Sequence, residues 1–453
     1  MVLDNGRGTQ RTFINKGNHS MKIKQGTITA VLLFLIVSPV FAERSYTLED
    51  AYRAALGTNE YVKIAEEGVS QSGNVIDQAW TYLYPRLTAR GAYTRFNETL
   101  PPEGGDFLFQ PLEQFQAGLV LTQPLYTGGR TLAALRTAQK MQEASRVGLS
   151  VTKQDILFRV SEAYFGVLKA QRSVEISHNS LERMERHKLV TEREAATRKT
   201  KANASALLRA NTLVSQARIN LVRAQDGLKT AKEKLGLLTR IPMDAIINEP
   251  RPLDQPMDDL ESLMASALQN RDDYLGSKMN VSIASENVTI VQGGHYPQLY
   301  AEAGMQYQDS RPALMTDATG YYGGLRLQIP IFEGGLMKAE VSEARSKARQ
   351  AELASDFLRK SIESDVNEAY VNLQTSTSVL ETAKLQMGYA KDNFDAVEGL
   401  FAEGLTSSLS IIDAEQALMY AERELMNTTY DRQLAILRLK KSIGMLGKNI
   451  EKP

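Results

Sequence analysis

The residues best suited to chemistry are few and scattered. The 453-residue chain holds four histidines, His19, His178, His187 and His295, and no cysteine. Two histidines that share a metal on a helix sit about one turn apart. His178 and His187 are too far apart for that and read as solvated residues on a helix face. Without cysteine there is no disulfide, thiol catalysis or acylated lipoprotein anchor. No Gly-x-x-x-x-Gly-Lys-Ser/Thr loop is present to cradle a nucleotide phosphate. Lysine plus arginine and aspartate plus glutamate both number 53. That balance gives no general attraction to nucleic acid or acidic lipid. The expectation is a protein that is no enzyme, with no cofactor, no metal site and no nucleic-acid partner.

What the chain does carry is a stretch spelled twice. Gly118-Leu119-Val120-Leu121-Thr122-Gln123-Pro124-Leu125-Tyr126-Thr127-Gly128-Gly129 returns 206 positions later as Gly324-Leu325-Arg326-Leu327-Gln328-Ile329-Pro330-Ile331-Phe332-Glu333-Gly334-Gly335. The same offset carries Glu162-Ala163-Tyr164 onto Glu368-Ala369-Tyr370. Each copy reads as an alternating strand closed by a proline, which lacks the ladder N–H. An aromatic and two glycines then allow a sharp turn. Pro124, Gly128 and Gly129, and Pro330, Gly334 and Gly335, are therefore expected at two strand-to-helix corners.

The N-terminus reads as export. Met21, Lys22 and Lys24 form a basic region, Ile28 to Val37 an apolar core, and Val40-Phe41-Ala42 a cleavage site. A membrane anchor would need about 20 apolar residues. Residues 1–42 are thus expected to be an N-terminal extension plus a removed signal peptide, and the mature chain to begin at Glu43. No later stretch has the length and apolarity of a transmembrane helix, so the exported chain is expected to have no helical anchor.

Four segments alternate with period two: those following Tyr84-Pro85 and Tyr296-Pro297, and the two corner strands. Polar loops at Asn97–Gln114 and Ser310–Gly320 pair them into two hairpins. Alternation of this length fits either a sheet with one wet face or the strands of an outer-membrane barrel. Short amphipathic helices are expected at Thr47–Leu56 and Leu260–Leu268.

Long helical tracts follow the corners. No proline occurs from Leu125 to Ile241 or from Ile331 to Lys452. The first tract, up to Thr200, would make a rod of roughly 100 Å at about 1.5 Å per residue. Leu207, Ala210, Val214, Ala217, Leu221, Ala224, Leu228, Ala231 and Leu235 then form a heptad seam. Ile411, Ala414, Leu418, Ala421 and Leu425 repeat it, and the pattern weakens at Thr428 and Arg432. Each tract folds back, at Thr197–Ser205 and at Phe401–Ser408. The domain reading is residues 43–241 and 257–447 as two structural repeats, a proline-rich strap at 242–256 and a tail at 448–453.

Four strands cannot close a membrane barrel, which takes about eight, and open edges in lipid leave backbone groups unpaired. If the strands span a membrane, copies must pool them: two copies give eight, three give twelve. Taken together, several motifs resemble the outer-membrane efflux protein family of TolC-type export ducts. They are Tyr-Pro before a strand, the two corners, Glu-Ala-Tyr in each tract, and Phe-x-x-Gly-Leu-x-Ser-x-Leu-x-x-x-Asp-Ala at 401–414.

That resemblance implies a mainly α chain with membrane β. It implies a homotrimer whose twelve-stranded barrel, four strands from each chain, continues into a long α-helical barrel across the periplasm. It places the protein in the outer membrane lipid, as the passive exit duct of a tripartite efflux or type I secretion system. The implied partners are a periplasmic adaptor (membrane fusion) protein and an inner-membrane pump. It implies adaptor contact at the tips, Thr200, Lys201, Gly404, Leu405 and Thr406. It also implies a pore constriction at Asp413 and Ser410, where members carry an Asp-x-x-Asp pair and this chain keeps only the second carboxylate. The alternative from another class is a periplasmic coiled-coil adaptor, against which stand two helical hairpins in a tandem repeat. Nothing in the sequence names the cargo.

Overall fold

The structure is a computed structural model, and it describes residues 45–99, 110–197, 200–253, 259–314 and 316–448. The extension and signal peptide, the strap's residues 254–256 and nearly all of the tail lie outside the described residues.

The chain begins with β1 (Ser45–Tyr46) and α1 (Leu48–Thr58). Thr47 and Asp50 form a reciprocal capping box that starts α1. Asn59 ends α1 and caps α2 (Glu60–Thr81). Then come β2 (Arg86–Arg95), β3 (Glu113–Thr127), α3 (Arg130–Thr197) and α4 (Lys201–Thr239). The strap carries β4 (Ile246–Ile247), which pairs in parallel with β1. The second half repeats the order with α5 (Leu260–Asn270), α6 (Asp272–Gln292), β5 (Gln298–Arg311), β6 (Thr319–Gln328), α7 (Leu336–Ala402) and α8 (Ser408–Ser442). At 68 and 67 residues, α3 and α7 each reach about 100 Å.

The four long strands form one antiparallel sheet in the order β2-β3-β5-β6. Its register sorts the side chains onto two faces. Leu87 pairs with Leu121 and Tyr93 with Phe115. Leu119 pairs with Met305 and Leu121 with Ala303. Ala301 pairs with Leu325 and Leu299 with Leu327. Directly opposed residues share a face, so one face is apolar and aromatic along most of its length, with Arg95, Glu113, Asp309 and Arg311 at the end away from the corners. The other carries Arg86, Thr88, Arg90, Gln116, Gln306, Gln308 and an Arg326–Glu302 ion pair. Among the described residues nothing covers the apolar face: Tyr321 is 78% exposed and Leu325 70%. Among the described residues β2 and β6 each keep an unpaired edge, and they run in opposite directions.

The first corner corrects one expectation. β3 does not stop at Pro124 but runs on to Thr127, with a bulge between Pro124 and Tyr126. β3 is an interior strand, and the bulge absorbs the residue that cannot donate. Edge strand β6 does end before Pro330, at Gln328.

Away from the sheet, α4 lies back along α3 and α8 along α7, and α8 also packs on α3. Every position of the first heptad seam is buried or half-buried, from Leu207 to Leu235. In α8 the seam continues through the weak point, because Thr428 is buried and turns its hydroxyl onto the Glu424 carbonyl. Near the strap, Tyr164 of the first Glu-Ala-Tyr donates its hydroxyl to the Tyr46 carbonyl (3.0 Å) and the Asn248 carbonyl (2.5 Å). It thereby ties the β1–β4 pair to α3.

Candidate functional site

The sequence-marked residues gather at two places: the corners beside the sheet and the turns at the far ends of the hairpins. At the first corner, Gly128 has φ +65°. A Cβ there would come within 2.3 Å of the Gly293 carbonyl oxygen and 2.8 Å of Tyr296 Cβ. Glycine is thus required twice over, by conformation and by space. The partner segment leads from α6 into β5. At the second corner Gly334 has a matching φ of +63°, but nothing lies within 4 Å. Gly335, at φ 89°, starts α7. The repeat is equivalent in backbone, yet only the first corner is covered within one chain.

At the α7–α8 turn, Gly404 has φ +74°. Its N–H donates to the Phe401 carbonyl at 3.0 Å and the Leu405 N–H to the Leu400 carbonyl at 2.9 Å. This Schellman pattern closes α7. Ser407 then caps α8 by accepting from the Ser410 N–H at 3.3 Å. Ser410 therefore sits in the first turn of α8 with its hydroxyl 3.1 Å from that of Ser407. Leu405 is 69% exposed. In the α3–α4 turn, Thr200 accepts from the Asn203 N–H at 3.2 Å, Lys201 opens α4, and residues 198–199 lie outside the described residues. Asp413 is exposed and borders a shallow hollow of Leu385, Tyr389, Asn393, Gln416 and Tyr420.

Two contacts bind α8 to α3 just behind this turn. Arg183 on α3 donates to Glu415 at 2.5 Å and to Glu422 at 3.2 Å, both on α8. All three side chains are largely buried. Burial pushes the Glu415 carboxyl up from its ordinary value, and Arg183 pulls it the other way. One turn along α3, the His187 ring lies 3.0 Å from the Ser408 hydroxyl and 4.8 Å from the Phe401 ring. Here a second expectation is corrected. His178 is solvated, but His187 is buried, with 5% of its surface exposed. The α3 rod packs on α4 with one face and on α8 with another, so a residue off the first seam is enclosed by the second. The usable signal was paired spacing: Arg183 and His187 lie one turn apart, and Glu415 and Glu422 two turns apart.

The model of the family described as "Outer membrane efflux protein" matches residues 51–239 and 263–445. The chain belongs to the outer membrane efflux protein family. It is 23% identical over 377 residues to outer membrane protein TolC of Vibrio cholerae, a match spanning 81% of this chain and 83% of that protein. Among solved structures it resembles the Campylobacter jejuni CmeC outer membrane channel, with a TM-score of 0.76, 15% identity and coverage of 88% and 85%. It also resembles CusC, with a TM-score of 0.75, 17% identity and coverage of 88% and 92%. The structural likenesses carry the fold. Membership carries the rest: like its family, this chain is an outer-membrane protein of efflux and export, a duct.

Proposed function

We propose that the chain is the passive exit duct of a tripartite efflux or type I secretion system. In this reading three copies pool their sheets into a twelve-stranded barrel, and their helical hairpins into a tube below it. An inner-membrane pump delivers the cargo through a periplasmic adaptor. The observation that carries the reading is the amphipathic sheet with both edges unpaired. One face suits lipid and the other a wet lumen, and only closure with further copies satisfies the edge groups in a membrane. Because β2 and β6 run in opposite directions, joining β6 of one copy to β2 of the next keeps every pairing antiparallel.

The internal repeat supports a register for that joint. β6 repeats β3 and β2 repeats β5, so the pair Leu119–Met305 inside the chain corresponds to Leu325 against Tyr93 of the partner subunit. Both lie on the apolar face. By the same mapping, the open corner at Gly334 would receive Thr81 and Tyr84 of the partner subunit, as Gly128 receives Gly293 and Tyr296.

The functional halves are the repeats 43–241 and 257–447, with the strap at 242–256 holding the waist. Exposed Leu405, with Gly404, Thr406, Thr200 and Lys201, forms the adaptor-facing tips. Asp413, near the start of α8, is the carboxylate of the constriction, and Ser410 adds hydroxyls. Three like charges around a narrow axis repel, and they favour bound cations. The test is reconstitution of the purified protein in planar bilayers. Steady ion conductance without nucleotide is expected, and a protein that inserts without conducting would count against the duct.

A further inference from the structure

We propose that His187 is a pH-sensitive latch that holds the α7–α8 turn against α3 when neutral and lets it go when protonated. Its ring bridges three elements: it belongs to α3, contacts Phe401 at the end of α7 and meets Ser408 in the first turn of α8. A hydroxyl both donates and accepts, so Ser408 serves either neutral tautomer of the imidazole. The other ring nitrogen, Nδ1, is buried with no hydrogen-bond partner among the described residues. Protonation turns both nitrogens into donors. Nδ1–H would then be a buried cationic donor with nothing to accept it, a costly arrangement.

The surrounding charges offer no relief. On α8, Glu422 and one oxygen of Glu415 are held by Arg183, one turn from His187, and the other Glu415 oxygen, Oε1, makes no hydrogen bond to the ring or to any other described residue. On α7, Glu398 pairs with Arg186. Facing α4, Glu185 pairs with Arg218. Glu192 of α3 itself pairs with Lys188. The first turn of α8 is also the positive end of its dipole, which disfavours a cation beside Ser408.

Burial accordingly holds the imidazole below its ordinary value of 6.5. Released into water, the ring takes a proton more readily than it does when docked. The docked turn is therefore fully stable above about pH 6.5 and weakens as pH falls below it. That a loosened turn widens the far end of the duct rests on the proposed function; the latch itself does not.

The chain has no cysteine, so a single spin label can be placed at exposed Glu403 as Glu403→Cys in the full mature protein. In detergent, the mobile fraction of its spectrum should at least double between pH 7.5 and pH 5.5, reversibly. In His187→Gln, which can still bond to Ser408, the spectrum should be the same at both values. If His187→Gln does not assemble, His187→Asn and His187→Phe carry the same comparison. A parent spectrum that does not change, or a pH response that survives in an assembled variant, overturns the latch. A turn that loosens at pH 5.5 in a protein giving no bilayer conductance would sink the duct reading and leave the latch standing.

Discussion

Replacing Arg183 with methionine should detach α8 from α3 locally while leaving the rest of the hairpins intact. Glu415 is almost wholly buried, and among the described residues Arg183 is the cation that pairs with it, at 2.5 Å. Removing one partner of such a pair leaves an uncompensated buried charge, at a cost of about 3–5 kcal/mol. Since about 1.4 kcal/mol is tenfold in an equilibrium constant, local opening should rise roughly 100- to 4000-fold. Hydrogen exchange followed by mass spectrometry reads this directly, corrected for intrinsic exchange. Amides of 411–425 should lose protection, and those of 215–235 in α4 should not. The double variant Arg183→Met/Glu415→Leu should recover most of the loss, because an apolar pair of similar volume replaces the ionic one. The pH dependence has a definite sign. Without Arg183 the docked Glu415 is held still further above its ordinary 4.5, so the docked state binds the proton more tightly than the released one. Docking is then strongest below about pH 4.5 and is lost as pH rises, so the defect should shrink between pH 8 and pH 5. The series is best run in a His187→Gln background, since His187 responds with the opposite sign. Parent-like protection of 411–425 in Arg183→Met, or a defect independent of pH, would refute the reasoning.

Further outcomes are expected at the first corner, the tip and the constriction. Gly128→Ala should abolish assembled protein in outer-membrane fractions, because its Cβ meets backbone at 2.3 Å. Gly129→Ala, at φ +81° but in open space, should cost only about 1–2 kcal/mol and still assemble. Leu405→Asp should abolish export from cells while leaving the oligomer folded on gel filtration; undiminished export would remove Leu405 from the adaptor surface. Asp413→Ala should lower cation selectivity and weaken block by divalent cations in single-channel recordings; an unchanged channel would make Asp413 a helix-start residue only.

Much of the architecture was legible because each element has a local cause. The heptad seam, the Gly404 stop and the hydroxyl residues of the turns predict the hairpins to within a few residues. The capping box at Thr47 and Asp50 similarly starts α1 close to where periodicity does. The strand alternation predicts two faces, and the observed register assigns them. What was not legible depends on neighbours distant in sequence. Pro124 reads as a strand end, yet β5 beside it allows a bulge instead. His187 reads as solvated from its own helix, and only the second packing surface of α3, against α8, buries it. The Arg183–Glu415–Glu422 cluster has the same origin, since charged residues on a helix are ordinarily solvated, and helical spacing shows which of them share a face but not that the face is enclosed. The two corners are alike in sequence and differ in where the strand stops and in what covers them.

The most direct test of the central claim is a disulfide between copies at the proposed joint. In this cysteine-free chain, Tyr93→Cys with Leu325→Cys places one thiol on β2 and one on β6, on the same face and in the register inferred from Leu119–Met305. Oxidation in outer membranes should give covalent species of two and three chains on a non-reducing gel, and nothing larger. Tyr93→Cys with Gly324→Cys, one residue out of step and on opposite faces, should link poorly. A ladder that stops at two chains, continues beyond three, or never forms would contradict the closed three-copy duct.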